Sequence, residues 1–236
     1  MKLNDFADLI GFSRHKMVLK EKWISALGGF LGIFAIFMTA QWLLDPEVAV
    51  YIVPSMGASA VLLFASPHVP FAQPWNLVGG HAVSAIIGVA CWQWIPDYVV
   101  AASASVGLAI GAMYFLRCTH PPGGATALAA VIGSEKLHSL GFSYELAPIM
   151  LNTLTILVVA IAFNYLFPWR RYPAHLNALL EKKKETKTEL QEPGPIDHAD
   201  FVYALSHLDT LVDISEDELM EIYAMATKRH AAKSGG

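Results

Sequence analysis

The chain has 236 residues, of which 55% are hydrophobic and 15% charged, and its mean hydropathy is +0.44. These values are far from those of an average soluble domain. The formal net charge of −4 averages over unlike parts and gives no reason to expect a nucleic-acid partner. Its two cysteines, Cys91 and Cys118, both lie in apolar stretches, where we expect them to pack without forming a disulfide or a metal site.

Five apolar stretches run without a charged residue, and together they predict a polytopic membrane protein. They cover residues 23–44, 48–69, 71–95, 98–116 and 148–169. Spans of about 20 apolar residues match a hydrocarbon core of roughly 30 Å. A secretory signal peptide fits poorly, because the first stretch starts late, is too long and has no small-residue cleavage site.

Basic residues flank the membrane part on both sides and predict its orientation. Residues 1–22 form an amphipathic segment that contains Arg14, Lys16, Lys20 and Lys22, and Arg170 and Arg171 follow the last apolar stretch. By the positive-inside rule, both termini are then cytoplasmic and the number of crossings is even. We therefore expect a location in the inner cell membrane, with the first segment lying along the cytoplasmic interface.

A His-Pro-Pro-Gly-Gly run at residues 120–124 must interrupt the helices around it. Two prolines cannot donate backbone hydrogen bonds, and two glycines disfavour helix. Broken backbone survives in a bilayer only where protein or a water-filled cavity satisfies it. We expect a helix to restart at Gly124 and to point its free amides and positive dipole end at such a cavity. The pattern is typical of a site for a small anion.

An internal repeat adds a second site of the same kind. Residues 57–62, which read Gly-Ala-Ser-Ala-Val-Leu, resemble residues 124–129, and each copy follows a proline, Pro54 or Pro122. The membrane domain, residues 23–169, is thus predicted to use twice a unit of long helix, short broken helix and long helix. Corresponding interrupted segments are the best sequence pointer to a transport site. Six crossings with inverted repeats, which place Arg117 on the cytoplasmic side, are favoured over four crossings with parallel repeats.

The remaining chain is predicted to be cytoplasmic. A charged linker covers residues 170–195, and residues 196–230 have the pattern of a helical hairpin whose second helix starts with a Ser215–Glu218 capping box. The fold class is therefore an all-α polytopic membrane protein with a small cytoplasmic helical hairpin. The sequence leaves open a homo-oligomer and a cytoplasmic protein partner for the hairpin.

The run Thr-His-Pro-Pro-Gly-Gly-Ala-Thr-Ala at residues 119–127 resembles the signature of the HPP family of integral membrane proteins, and residues 57–64 resemble that family's second recurrent segment. The resemblance covers roughly residues 20–170. It implies a compact membrane domain, usually described as four-spanning, and for some members a role in nitrite transport.

The candidate substrate-binding residues lie in the two interrupted segments and beside them. His120 is the first candidate, as a hydrogen-bond donor or a titrating group, and Ser59 and Thr126 would flank one central site if the repeats face each other. Arg117 offers a fixed charge to an anion or a snorkelling anchor, and His81 a second histidine that more often serves an interhelical bond. The full set is His120, Gly123, Gly124, Ala125, Thr126, Ser55, Gly57, Ala58, Ser59, Arg117 and His81.

The apolar stretches contain no Asp or Glu, and this absence argues against two classes of transport protein. Cation transporters and carboxylate-driven proton pumps usually need an acidic group at membrane depth. We find no nucleophile–base pair and expect neither an enzyme nor a cofactor. The favoured function is a transporter or channel for a small inorganic anion such as nitrite. The alternative is a membrane-anchored scaffold or sensor that acts through its C-terminal hairpin.

Overall fold

The computed structural model describes residues 19–43, 46–143 and 148–174, and for residues 47–53 only the backbone. Every regular element in these ranges is helical, so the all-α prediction is confirmed there. The helices are α1 (Leu19–Leu43), α2 (Pro46–Ala65), α3 (Pro74–Trp94), α4 (Tyr98–Phe115), α5 (Pro121–Ile132), α6 (Glu135–Ser139) and α7 (Met150–Tyr165), with 3₁₀ turns at Pro70–Ala72 and Pro168–Arg170. The segment before residue 19, the linker beyond residue 174 and the hairpin at 196–230 lie outside the described residues.

Three of these helices, α1, α3 and α4, are long and apolar enough to cross a membrane. Large apolar side chains cover their outer faces; Trp23 is 70% exposed, Phe30 64% and Phe115 90%. An exposed apolar surface of this extent marks contact with lipid or with another apolar surface. At 12 residues, α5 is about 18 Å long, well short of the hydrocarbon thickness of about 30 Å.

At one end of the helix bundle, groups from several helices bond to the Arg170 side chain, and we call this end the Arg170 end. The guanidinium donates to the Glu21 carboxylate at the start of α1, to the Phe64 carbonyl at the end of α2 and, at 3.2 Å, to the Ser25 hydroxyl. Asn164 donates to the Leu63 carbonyl at 3.1 Å. The start of α1 and the ends of α2 and α7 therefore meet at this end.

The other helices join the same end in alternating directions. The Tyr172 hydroxyl donates to the Ala72 carbonyl at 2.6 Å, just before α3 begins. Trp75, at the start of α3, donates to the Leu116 carbonyl at the end of α4, and α5 begins nearby. Helices α1, α3 and α5 thus run away from the Arg170 end, and α2, α4 and α7 run toward it.

Both interrupted segments differ from the sequence prediction in where the helix starts. α5 begins at Pro121, not at Gly124, with the extended residue His120 before it (φ −135°, ψ 103°). Proline suits the first helical turn, whose amides have no intrahelical partner in any case. In the first half, α2 already begins at Pro46 and contains Pro54 in its interior, so Gly57 does not start a helix.

Candidate functional site

Four polar side chains meet inside the bundle, and we call them the histidine cluster. They are Ser59 on α2, His81 on α3, His120 just before α5 and Thr126 on α5, and each is 0% exposed. Ser59 lies six residues before the end of α2, and His81 lies seven residues after the start of α3. At 1.5 Å per residue, the cluster lies about 10 Å in from the Arg170 end.

An unbroken row of hydrogen bonds connects the cluster. Thr126 Oγ1 lies 2.8 Å from His81 Nδ1, and His81 Nε2 lies 2.9 Å from Ser59 Oγ. Ser59 Oγ lies 2.9 Å from His120 Nε2, and His120 Nδ1 lies 2.8 Å from the Phe71 carbonyl. The two imidazole rings lie edge to face, with their centroids 4.8 Å apart. Every ring nitrogen of both histidines therefore has a partner.

The direction of these hydrogen bonds follows from the one carbonyl at the end of the row. A carbonyl only accepts, so His120 Nδ1 carries a proton and donates to Phe71. In a neutral His120, Nε2 then accepts from the Ser59 hydroxyl. Ser59 Oγ in turn accepts from His81 Nε2, and His81 Nδ1 accepts from the Thr126 hydroxyl. With both histidines neutral, this is the one assignment that satisfies all four bonds.

The Ser59 hydroxyl also has a second acceptor, the Ser55 carbonyl one turn earlier in α2, at 3.1 Å. The hydroxyl has one proton to donate. If it donates to Ser55, both Nε2 atoms that face Ser59 Oγ must donate, and His120 then has protons on both nitrogens and a positive charge. Rotation of one hydroxyl thus accommodates either charge state of His120 without moving a helix.

Close approach of α3 to α5 brings the two histidines together. A Cβ on Gly80 would lie 2.4 Å from His120 Cβ, and a Cβ on Gly88 would lie 2.5 Å from the Ala127 carbonyl oxygen. Gly123 is equally confined, because its Cβ would lie 2.7 Å from Ser84 Oγ. These three glycines are required by the space between the helices.

Among the described residues, the surroundings of the cluster contain hydroxyls and a thiol but no carboxylate. Among the described residues that are buried, the only charged side chain is Arg170, which is paired with Glu21. Cys118, between α4 and α5, is buried with a free thiol and lies against Gly79. Within the described ranges, no group of three or more His, Cys, Asp or Glu side chains could hold a metal ion.

The structure unites some of the predicted site residues and separates others. His120, His81, Ser59 and Thr126 form the cluster, and Ser55 joins it through its carbonyl. Gly123 packs beside it, but the Gly123 amide donates to the His120 carbonyl at 2.8 Å. The others lie at or near the surface: Gly57 lines an outward-facing groove of about 380 Å³ between α1 and α2, Gly124 is half-buried, and Ala58, Ala125 and Arg117 are exposed.

Two parts of the site are not predicted by the sequence pattern. The Phe71 carbonyl is a backbone group, and nothing in the side-chain pattern marks it. The second part is the close approach of α3 to α5. The paired glycines Gly79-Gly80, directly before His81, are a sequence signal for it, because paired glycines in a membrane helix allow another backbone to approach closely.

Apolar helices around a fully buried polar cluster define the class as an integral membrane protein with an internal polar site. A family model for the HPP transmembrane region matches residues 14–173, so the chain belongs to the HPP family, as the sequence resemblance indicates.

Two relatives from Dictyostelium discoideum are described only as transmembrane proteins. One is 38% identical over 159 residues, which cover 66% of this chain and 51% of the relative. The other is 36% identical over 157 residues, covering 65% and 54%. The chain thus spans about half the length of the curated relatives it matches. No solved structure matches the chain.

Proposed function

We propose that this protein moves a small inorganic anion, with nitrite as the first candidate, across the membrane past the histidine cluster. The observation that carries the proposal is a pair of buried imidazoles with no buried carboxylate in the described residues. A proton taken up by His120 creates a charge that no carboxylate among the buried described residues balances. A charge in a low-dielectric interior is costly unless it is paired, and a permeating anion supplies the partner.

The anion is recognised mainly by side chains in this proposal. Pro121 and Pro122 have no amide hydrogen, and the Gly123 amide already has an acceptor in the His120 carbonyl. The start of α5 therefore offers fewer free amides than an ordinary helix N-terminus does. The imidazole and hydroxyl protons of the cluster replace them as donors to the anion. Exposed Arg117 raises the local anion concentration from outside the cluster.

The directions of the helices support an inverted form of the proposed repeat. The first set, α1, α2 and α3, runs away from, toward and away from the Arg170 end, whereas α4, α5 and α7 run in the opposite senses. In transporters with inverted repeats, the substrate site lies between the halves. Ser59 comes from one set and Thr126 from the other, and both bond to His81. The protein acts in this proposal as an inner-membrane transporter with both termini cytoplasmic, and not as an enzyme.

Flux measurements on the purified full chain in liposomes test the proposal. We expect nitrite, and to differing extents nitrate, formate and chloride, to permeate faster than through empty vesicles. His120→Ala and Thr126→Val should each lower the flux at least about tenfold, the equivalent of 1.4 kcal/mol of lost interaction. Thr155→Val is the matched control, because among the described residues the Thr155 hydroxyl bonds only to the Leu151 carbonyl of its own helix. No flux of any anion above empty vesicles would refute the proposal.

A further inference from the structure

A second polar site lies on α7, and none of its residues belongs to the histidine cluster. Asn152 and Thr153 are both 0% exposed. The Asn152 Nδ2 and Oδ1 atoms and the Thr153 Oγ1 atom are buried and have no hydrogen-bond partner among the described residues. Each buried polar atom that is left unsatisfied costs free energy comparable to a lost hydrogen bond. Three of them on two consecutive residues need an explanation.

The other asparagine of α7 shows that packing alone does not account for this pattern. Asn164 donates to the Leu63 and Ala160 carbonyls at 3.1 and 3.0 Å, and its oxygen accepts from Arg170 at 3.3 Å. It therefore serves an interhelical bonding role. Asn152 does not serve that role in the described structure.

The free edge of Asn152 defines the chemistry of a ligand. A carboxamide presents one N–H donor and one C=O acceptor side by side. A protonated oxyacid such as formic or nitrous acid presents the complement, an acceptor oxygen next to an O–H donor. A bare anion satisfies Nδ2 but leaves Oδ1 facing a second acceptor. The Thr153 hydroxyl adds a group that can donate or accept on the same helical turn.

We propose that Asn152 and Thr153 bind the small permeating solute in its protonated, neutral form. The inference rests on the proposed function in one respect, that the solute is a weak oxyacid whose anion and proton travel together. It goes beyond that function by assigning a second site on α7. In this scheme the histidine cluster binds the proton and the anion separately, and Asn152 binds the uncharged acid.

Thermal unfolding of the purified full chain in detergent tests the second site without requiring transport. Sodium formate should raise the melting temperature of the wild type, more at pH 5 than at pH 7.5, because a ligand that binds only the folded state stabilises it. Sodium chloride at equal concentration should produce no such rise. Asn152→Leu should reduce the formate shift by the part that arises at α7, while its ligand-free melting temperature equals or exceeds that of the wild type, since an unsatisfied amide has been removed.

Three controls separate this site from its alternatives. Thr155→Val, which changes a hydroxyl already bonded within its helix, should keep the formate shift. Asn164→Leu should lower the ligand-free melting temperature, because it removes bonded groups. His120→Gln removes any part of the formate shift that arises at the histidine cluster, and the shift that remains in this variant should be lost when Asn152→Leu is added.

A formate shift of equal size in the wild type and in Asn152→Leu would overturn the α7 site, as would an equal shift with chloride. So would a ligand-free melting temperature of Asn152→Leu as low as that of Asn164→Leu, since Asn152 would then be a structural group. The two proposals fail separately. An Asn152-dependent shift without flux leaves the α7 site and refutes transport, whereas flux without any shift does the reverse.

Discussion

Ser59 and Thr126, 67 residues apart in the chain, bond to the two nitrogens of one imidazole: His81 Nε2 lies 2.9 Å from Ser59 Oγ, and His81 Nδ1 lies 2.8 Å from Thr126 Oγ1. The two hydroxyls occupy matching positions in the two similar segments of the sequence. His81 therefore connects the first half of the membrane domain to the second. Any movement of α2 relative to α5 must break or rotate one of these bonds.

Removing the Ser59 hydroxyl should both destabilise the protein and impair transport. Ser59→Ala leaves the facing Nε2 atoms of His81 and His120 without a partner. We expect the free energy of unfolding to fall by about 1–3 kcal/mol and nitrite flux to fall with it. Ser105→Ala is the control, because Ser105 is buried and, in the part of the chain that the structure describes, its hydroxyl bonds only to the Ala102 carbonyl of its own helix. Equal behaviour of the two variants would mean that the row of bonds has no role.

Gly80 should not tolerate even one added methyl group. The new Cβ in Gly80→Ala would lie 2.4 Å from His120 Cβ and 3.0 Å from the Cys118 carbonyl oxygen. Forcing α3 away from His120 should lower the free energy of unfolding by about 1–3 kcal/mol, as other overpacked cores do. Gly57→Ala is the matched control, because no atom lies within 4 Å of its added Cβ. Differential scanning fluorimetry in detergent should show a lower melting temperature for the first variant alone.

The stability of the Arg170 end should depend on the ion pair between Arg170 and Glu21. Arg170→Met removes the ion-pair partner of Glu21, which keeps the Trp169 indole N–H as a donor, and it removes the Arg170 donor to the Phe64 carbonyl. Breaking one side of a fully buried pair costs about 3–5 kcal/mol, and we expect a smaller loss here because the Glu21 side chain is 18% exposed. Adding Glu21→Gln should recover part of that loss, because the isolated carboxylate is removed. Arg117→Gln, at an exposed position, should leave the unfolding free energy unchanged; a loss as large as that of Arg170→Met would contradict the assignment.

Tyr172 should make stability depend on pH at the alkaline side. Burial raises the pKa of the Tyr172 phenol above its ordinary value of 10.0, because the charged phenolate is poorly solvated there. A raised folded-state pKa gives stability that is fully present below the unfolded-state pKa and is lost as pH rises above about 10. Tyr172→Phe should therefore show a shallower fall in unfolding free energy between about pH 10 and 12 than the wild type. Parallel curves would show that Tyr172 does not titrate on unfolding.

Sequence patterns predict most of this fold because the bilayer leaves few choices. Charge-free runs form helices in the structure with nearly the predicted bounds; the run at residues 98–116, for example, forms the helix Tyr98–Phe115. The start of α5 is placed three residues late, because the prolines that end one helix also suit the first turn of the next. Pro54 is similar to Pro122 in sequence but lies inside a helix, since α2 already starts at Pro46.

The site is only partly predictable for a related reason. His120, Ser59 and Thr126 follow from the interrupted segments and their repeat, and the structure places them together. The central position of His81 depends on how closely α3 approaches α5, which is a tertiary property. The Phe71 carbonyl fixes the tautomer of His120, yet a backbone group has no signature in the sequence.

The most direct measurement is proton movement during nitrite uptake by liposomes that contain the protein. The lumen should acidify in step with nitrite uptake, beyond the rate in empty vesicles, because a proton on the histidine cluster accompanies each anion. His120→Gln should abolish this additional uptake and acidification together, and Ser105→Ala should preserve both. Protein-dependent nitrite uptake with no proton movement, and undiminished in His120→Gln, would contradict the account.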